Sequence, residues 1–278
     1  MTLPPVAQFS HARLAFGERV LWDDLSLDIA PGEFVAVLGP NGSGKTSFLR
    51  TLLGQYTLTS GTLTVTGRIG YIPQQHADDA DPMAMRGRDL VGFGVDGARW
   101  GIGLRGLGER RRRVDSALAE VGATAYADSP VGLLSGGEQQ RLRIAQALTT
   151  DPDLLLCDEP LASLDPASQE RVVELIDLRR RTASTAIVLV THEINPVLPY
   201  VDRVLYLAAS TRGDPSGEVS ARSAGRFVVG PPDEVMTTAT LSALYGSRVE
   251  VVRINGRLIV VGGEDAQNLL GAEEHLHL

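Results

Sequence analysis

The chain has 278 residues, 43% of them hydrophobic and 22% charged, with a formal net charge of −8. That is enough apolar material for one large α/β domain, or for a domain with an appendage. The acidic balance argues against free nucleic acid as a partner, because phosphate backbones need a basic face.

Cys157 is the only cysteine, so no internal disulfide can form and a reducing compartment is permitted. No apolar run approaches the roughly 18–20 residues that span a bilayer. The start, "MTLPPVAQFSHARLAF", lacks a basic stretch followed by an apolar one. The expectation is a cytoplasmic chain whose membrane contact comes through another protein.

"VLWDDLSLDIAPGEFVAVLGP" alternates and then becomes continuously apolar, which predicts two strands joined at the Pro31-Gly32 turn. "KTSFLRTLLG" predicts a helix with Phe48, Leu49, Leu52 and Leu53 inward and Gly54 as its stop. "TSGTLTVTGRIGYIPQ" predicts short strands with glycine turns. From about Asp78 to Leu133 the texture changes to glycine and arginine, as in "GFGVDGARWGIGLRGLGERRRR". Val114, Ala117, Leu118 and Val121 then form a helical stripe, so this stretch is read as a mainly helical insertion. "LLLC" and "AIVLV" predict buried strands, with a helix from Pro166 to Arg180 between them. Such β/α alternation predicts a mostly parallel sheet covered on both faces. Ala209 to Gly225 reads as a linker, and "VEVVRINGRLIVV" as a hairpin turning at Asn255-Gly256.

"GPNGSGKT", Gly39 to Thr46, follows a buried strand and opens a helix, the context a phosphate loop requires. Its glycines let backbone N–H groups curl around phosphate oxygens. Lys45 would reach the β- and γ-phosphates, and the Thr46 hydroxyl would take Mg²⁺. In "LLLCDEP", Asp158 ends a buried strand and can hold Mg²⁺ through water. Glu159 stands one residue on, placed to orient or deprotonate an attacking water. "LSGGEQQR", Leu134 to Arg141, is a second glycine turn entering a helix, and so a second place suited to an anion.

With these three stretches in this order the chain resembles the nucleotide-binding subunits of ABC transporters, from about Phe9 to Leu207. The resemblance implies an α/β P-loop fold with a mostly parallel core, an antiparallel β subdomain and a helical signature subdomain. It implies a domain over about 1–208 with the helical insertion at about 78–145, a linker at 209–225, and an appendage at 226–278 ending in a frayed tail. It assigns ATP binding to Gly39, Pro40, Asn41, Gly42, Ser43, Gly44, Lys45, Thr46 and Ser47. Phe16 stands where the family usually has an adenine-stacking tyrosine, and it keeps the π-face while losing the hydroxyl. Gln74 in "YIPQ" resembles the loop glutamine that senses the γ-phosphate and Mg²⁺. Ser163, Leu164 and Asp165 resemble the D-loop, and His192 in "VTHE" the switch histidine. "LSGGEQQR" resembles the signature, so Ser135, Gly136, Gly137, Glu138 and Gln139 would face the ATP of a partner subunit.

The implied cofactors are ATP and Mg²⁺. The implied partners are a second ATP-binding subunit, a membrane permease and, indirectly, a substrate-binding protein. The subunit would lie on the inner face of the membrane, docked through the insertion at about Asp78 to Leu133 and the Gln74 loop, with "GFGVDGARWGIG" and its Trp100 as part of that surface. The tail "GPPDEVMTTATLSALYGSRVEV" is similar to that of importer subunits for metal ions, siderophores, haem and cobalamin. Together with "RIGYIPQQHADDADPMAMRGRDLVGFG" it most resembles the zinc/manganese type, which implies a metal importer. A cytosolic scaffold ATPase and an exporter ATPase are the rival readings. His275 and His277 are read as part of a frayed end.

Overall fold

Runs of β-branched and leucine residues bounded by Gly and Pro turns become strands here, and the longer polar-apolar mixtures become helices. The computed structural model describes residues 3–74, 84–96, 107–208, 226–245, 248–254 and 257–262. In chain order the elements are β1 (Ala7–Phe16), β2 (Arg19–Ile29), β3 (Phe34–Leu38), α1 (Lys45–Leu52), β4 (Ser60–Val65), β5 (Ile69–Ile72), α2 (Gly87–Asp96), α3 (Leu107–Glu120), α4 (Gly136–Leu148), β6 (Leu154–Asp158), α5 (Pro166–Ala183), β7 (Ala186–Val190), β8 (Arg203–Leu207), β9 (Phe227–Gly230), α6 (Pro232–Val235), α7 (Thr238–Tyr245), β10 (Val249–Ile254) and β11 (Arg257–Gly262). The linker expected at 209–225, the histidine tail, Trp100 and the Asn255-Gly256 turn lie outside the described residues.

The chain divides into two units: Met1–Gln8, Asp28–Phe34 and Thr64–Thr191 in the first, and Phe9–Leu27, Val35–Leu63 and His192–Leu278 in the second. In the first unit β6 pairs in parallel with β5 and with β7, in registers such as Ile69↔Leu154 and Cys157↔Leu189. Every residue of β6 and β7 is buried, which is why both read as unbroken apolar runs. Helices α2 to α5 add Val91, Val114, Leu118, Leu142, Val172, Val173 and Ile176 to this core. Helix α5 starts on an Asp165 N-cap with Pro166 in its first turn, and it ends on Ser184 in the left-handed region. Arg179 on α5 ties this helix to Glu120 of α3 and to Asp151, just past α4.

In the second unit β3 and β8 are parallel, and β9 runs antiparallel to β8. Strands β2, β1 and β4 form a three-stranded sheet in that order. Strands β10 and β11 pair as an antiparallel hairpin, with Val252 opposite Ile259. Phe9, Trp22 and Phe48 are fully buried and meet ring to ring. Phe9 stacks on Phe48 at 5.0 Å, and Trp22 meets Phe9 edge-on at 6.0 Å. Strand β1 lies upstream of the first strand read from the sequence. Its inside-outside alternation slips at His11, whose φ of 47° sits opposite the 59° of Asp24. Two non-glycine residues in the left-handed region bend the ribbon, and their side chains pair at 2.6 Å.

Phe48 lies on the helix that begins at Lys45, so the aromatic cluster braces the start of that helix. Phe48→Ala is expected to cost about 3–5 kcal/mol in urea unfolding. The same substitution should weaken binding of the ATP expected at the loop before this helix, measured by titration calorimetry on the residual folded protein.

Candidate functional site

The phosphate-loop residues gather in the second unit. Buried β3 stops at Leu38, and the backbone turns through Gly39 (φ 142°), Gly42 (78°) and Gly44 (100°) before α1 begins. A side chain at Gly39 would strike the Leu207 carbonyl of β8 and lie 2.8 Å from the Ser43 hydroxyl, so only glycine fits. Gly44 caps α1 in the left-handed region with no side-chain hydrogen bond, and the first turn carries no acidic residue. The N–H groups of that turn therefore receive no capping side chain and no repelling charge. Lys45 is 7% exposed and donates to the Gly39 carbonyl at 2.7 Å and the Pro40 carbonyl at 3.1 Å. The buried Ser43 hydroxyl has no hydrogen-bond partner among the described residues. Such an orphaned group fits a loop built for an anion. Asn41 is exposed, while Thr46 and Ser47 are half-buried.

Three further residues of interest lie in the same unit, and one of them, Arg19, touches this loop. Arg19, at the start of β2, donates to the Gly42 carbonyl at 2.5 Å and brings a fixed cation to the loop. No motif flags Arg19; only the fold carries it there. Phe16 is 48% exposed, so it is no core residue. Its ring meets Tyr56 edge-on at 5.1 Å, and the Tyr56 hydroxyl accepts from Arg50 at 2.9 Å. His192 is exposed, with its Nε2 3.8 Å from the Glu193 carboxylate.

The remaining residues gather in the first unit. Gln74 follows β5 and is half-buried. Asp158 is 2% exposed at the end of β6. Glu159 comes next with φ 49°, its N–H donating to the Val190 carbonyl at 3.0 Å. A glutamate held in the left-handed region is locally strained, and such strain concentrates at functional positions. The Cys157 thiol is buried and pushed up by desolvation, and further by the neighbouring Asp158, which suits a packing residue and not a nucleophile.

The residues expected to form the signature lie at the start of α4. Ser135 is its N-cap, and Glu138 closes a capping box: Glu138 N–H donates to the Ser135 hydroxyl, while Ser135 N–H donates to the Glu138 carboxylate at 2.8 Å. The pattern Ser135-Gly-Gly-Glu138 carries that box in plain sight. The Gln139 amide donates to the Leu134 carbonyl at 3.0 Å. Glu138 and Gln139 thus hold the turn in shape, while Ser135 and Gly136 are exposed. The residues expected to form the D-loop, Ser163 to Asp165, lie alongside. A Cβ on Gly136 would stand 3.5 Å from Leu164, and one on Gly137 would stand 2.8 Å from the Ser168 hydroxyl. Ser163 takes φ 63°, and Asp165 accepts from Ser168 N–H at 3.0 Å and from its hydroxyl at 2.6 Å.

A family model described as ABC transporter matches residues 22–162. The chain belongs to the ABC transporter family. Among curated ABC relatives, an aliphatic sulfonates import ATP-binding protein of Pseudomonas fluorescens is 41% identical over 193 residues, 69% of this chain and 70% of its own. A zinc import ATP-binding protein of Roseobacter denitrificans is 37% identical over 197 residues, 70% of this chain and 72% of its own. Among solved structures, a dimeric ATP-binding cassette in a post-hydrolysis state with ADP and Pi is 25% identical, with a TM-score of 0.60 over 75% of this chain and 100% of that one. A chain described as of metal-chelate ABC type shares the fold, with a TM-score of 0.76 at 23% identity over 95% of this chain and 100% of that one. The protein is therefore an ATP-binding ABC ATPase, an α/β P-loop fold with a parallel core. Among the described residues no helix is long and apolar enough to cross a membrane.

The two helix caps predict an acid limit for this ABC subunit. Hydrogen bonds from Ser135, first its backbone N–H and then its hydroxyl, hold Glu138 below the usual carboxylate range. Those from Ser168, first its hydroxyl and then its N–H, do the same for Asp165. A depressed folded pKa gives stability that is present above the unfolded value, near 4, and lost as pH falls through the folded one. Melting temperature should therefore drop below about pH 4. Glu138→Gln should flatten that drop, and Ser135→Ala should cost about 1 kcal/mol at neutral pH in urea titrations.

Proposed function

We propose that two copies of this subunit, or one copy and a close relative, close head to tail on two ATP molecules and so drive a membrane permease that imports a metal ion of the zinc or manganese type. The observation that carries the paired site is the exposed start of α4. Its turn is stiffened by a capping box, its glycines are bare, and no nucleotide in its own chain is needed to explain it. The dimeric cassettes among the solved structures support the pairing. Relatives named as import proteins support the direction.

In this reading residues 39–47 cradle the phosphates, and Lys45 leaves the Gly39 and Pro40 carbonyls for phosphate oxygens. Phe16 stacks on the base. The Thr46 hydroxyl, the Asp158 carboxylate and the Gln74 amide are hard oxygen donors and suit Mg²⁺, which when bound neutralises charge on the phosphates. Glu159 orients or deprotonates the attacking water, and His192 contacts the γ-phosphate. Ser135, Gly136 and Gly137 donate to the γ-phosphate of the partner's ATP. Residues 1–208 form the ATPase domain and 226–278 the appendage, with a linker between. The insertion and the Gln74 loop dock the permease, and closure of the pair switches its facing.

The metal cargo rests on the tail from Gly230 to Val251 and on the zinc import relatives. An organic sulfonate cargo is the second reading, favoured by the 41% identity to a sulfonate import subunit. A deletion strain decides between them. Lower cellular zinc or manganese supports the first; normal metal content with failure to grow on an alkanesulfonate as sole sulfur source supports the second.

For the ATPase cycle, Glu159→Gln should cut turnover by about 10²–10⁴-fold and trap a dimer on gel filtration with ATP. Ser135→Arg should abolish hydrolysis while ATP binding to the isolated subunit persists. A Glu159→Gln protein that stays monomeric with ATP would overturn the paired site.

A further inference from the structure

Inside the second unit the C-terminal hairpin is hydrogen-bonded to the segment that follows His192. Asn195 sits three residues after His192, and its side-chain amide grips the backbone of Leu258 on β11 from both sides. Its Nδ2 donates to the Leu258 carbonyl at 3.0 Å, and its Oδ1 accepts the Leu258 N–H at 2.7 Å. Leu258 also pairs with Arg253 of β10, but its N–H and carbonyl point the other way, toward Asn195. Asn195 therefore behaves as a one-residue strand added to the free edge of the hairpin.

Both ends of this clamp are anchored. Ile194 and Val197 flank Asn195 and are 6% and 0% exposed. The turn is closed by Val197 N–H and Leu198 N–H donating to the Ile194 carbonyl at 3.0 and 2.8 Å. On the other side Leu258, Val249 and Val261 are all under a tenth exposed. The β10 end is further held by Ser242 of α7, which exchanges two hydrogen bonds with Val249, and by Thr238, which accepts from Val251 N–H. An amide gripping a backbone at two points fixes distance and orientation together, as a single hydrogen bond does not. The His192 side chain, by contrast, is 58% exposed, between buried Thr191 and this clamp.

We infer that Asn195 is a positioning residue for His192, and that the β10–β11 hairpin is the fixed point from which the histidine loop is held. This rests on the proposed role of His192. The hairpin then belongs to the hydrolytic machinery, which gives the appendage a task beyond packing. A loop end displaced by about 1 Å can lose a large part of its catalytic effect while substrate binding is kept.

The test uses the full chain and steady-state ATP hydrolysis, with thermal melts to show that each variant is folded. Asn195→Ala should lower kcat about tenfold and leave KM for ATP within about twofold. Asn195→Asp keeps the acceptor for Leu258 N–H and should recover part of the loss. In a His192→Ala background, Asn195→Ala should add nothing. If His192→Ala lowers kcat but Asn195→Ala does not, or if Asn195→Ala lowers kcat equally in both backgrounds, the positioning role is wrong and the reading of His192 stands. If His192→Ala leaves kcat unchanged, the reading of His192 itself fails and takes the positioning role with it. A KM effect without a kcat effect would also overturn the inference.

Discussion

What this protein does with ATP depends on a few residues of backbone that must point their N–H groups inward. Phosphate carries its charge on several oxygens at once, and only successive backbone amides can meet them without spending side chains. That demand fixes Gly39, where the Leu207 carbonyl leaves no room for a Cβ. It also requires a stiff strand before the loop and a helix after it, which β3 and α1 supply. The aromatic cluster of Phe9, Trp22 and Phe48 is the consequence one layer down, since a helix that presents its N-terminus to an anion has to be held from behind. Arg19 acts from the side, its guanidinium on the Gly42 carbonyl adding positive potential where the loop is most exposed.

The start of α4 uses the same physics for a different purpose. At α1 the cap is a glycine with no side-chain bond, and the first turn is left open. At α4 the cap is a serine in a closed box, so part of the N–H demand is met internally and the shape is set in advance. In the proposed pairing the turn waits for a second molecule and gains from such pre-organisation, because the ordering cost is met before the encounter. The nearby segment Ser163 to Asp165 is held likewise, by Asp165 capping α5. Positive φ at Ser163 and at Glu159 marks the same first unit as the one storing backbone strain beside its acidic pair.

Most of this was legible in the sequence because it is local. A glycine loop between a buried strand and a helix, an acidic pair closing an apolar run, and the hairpin β10–β11 all declare themselves within ten residues or so. What escaped is non-local or breaks the period. Strand β1 shows alternation that slips at His11, and a slip of one residue sends the pattern to the other face. Arg19 and the Asn195 clamp depend on residues 23 and 63 positions away, which no spacing rule relates. The capping box at Ser135 and Glu138 is the instructive case. The pattern Ser-Gly-Gly-Glu spells both a capping box and a glycine turn suited to an anion, and only the structure shows the box closed.

The cargo follows a different logic. Sulfonate and zinc import relatives differ by only a few per cent in their identity to this chain, 41% against 37% over nearly the same span. Both carry the ATP machinery, so the shared residues measure how well that machinery is kept and not what the permease carries. Discrimination has to come from residues the ATP cycle does not constrain. On α2, Leu90 and Val91 are buried while Phe93 on the same helix is half exposed, so the inward face is set by packing and the outward one is free to suit a partner. In the proposed reading, a surface of that kind records which permease the subunit grips, and the cargo is recorded one protein further away.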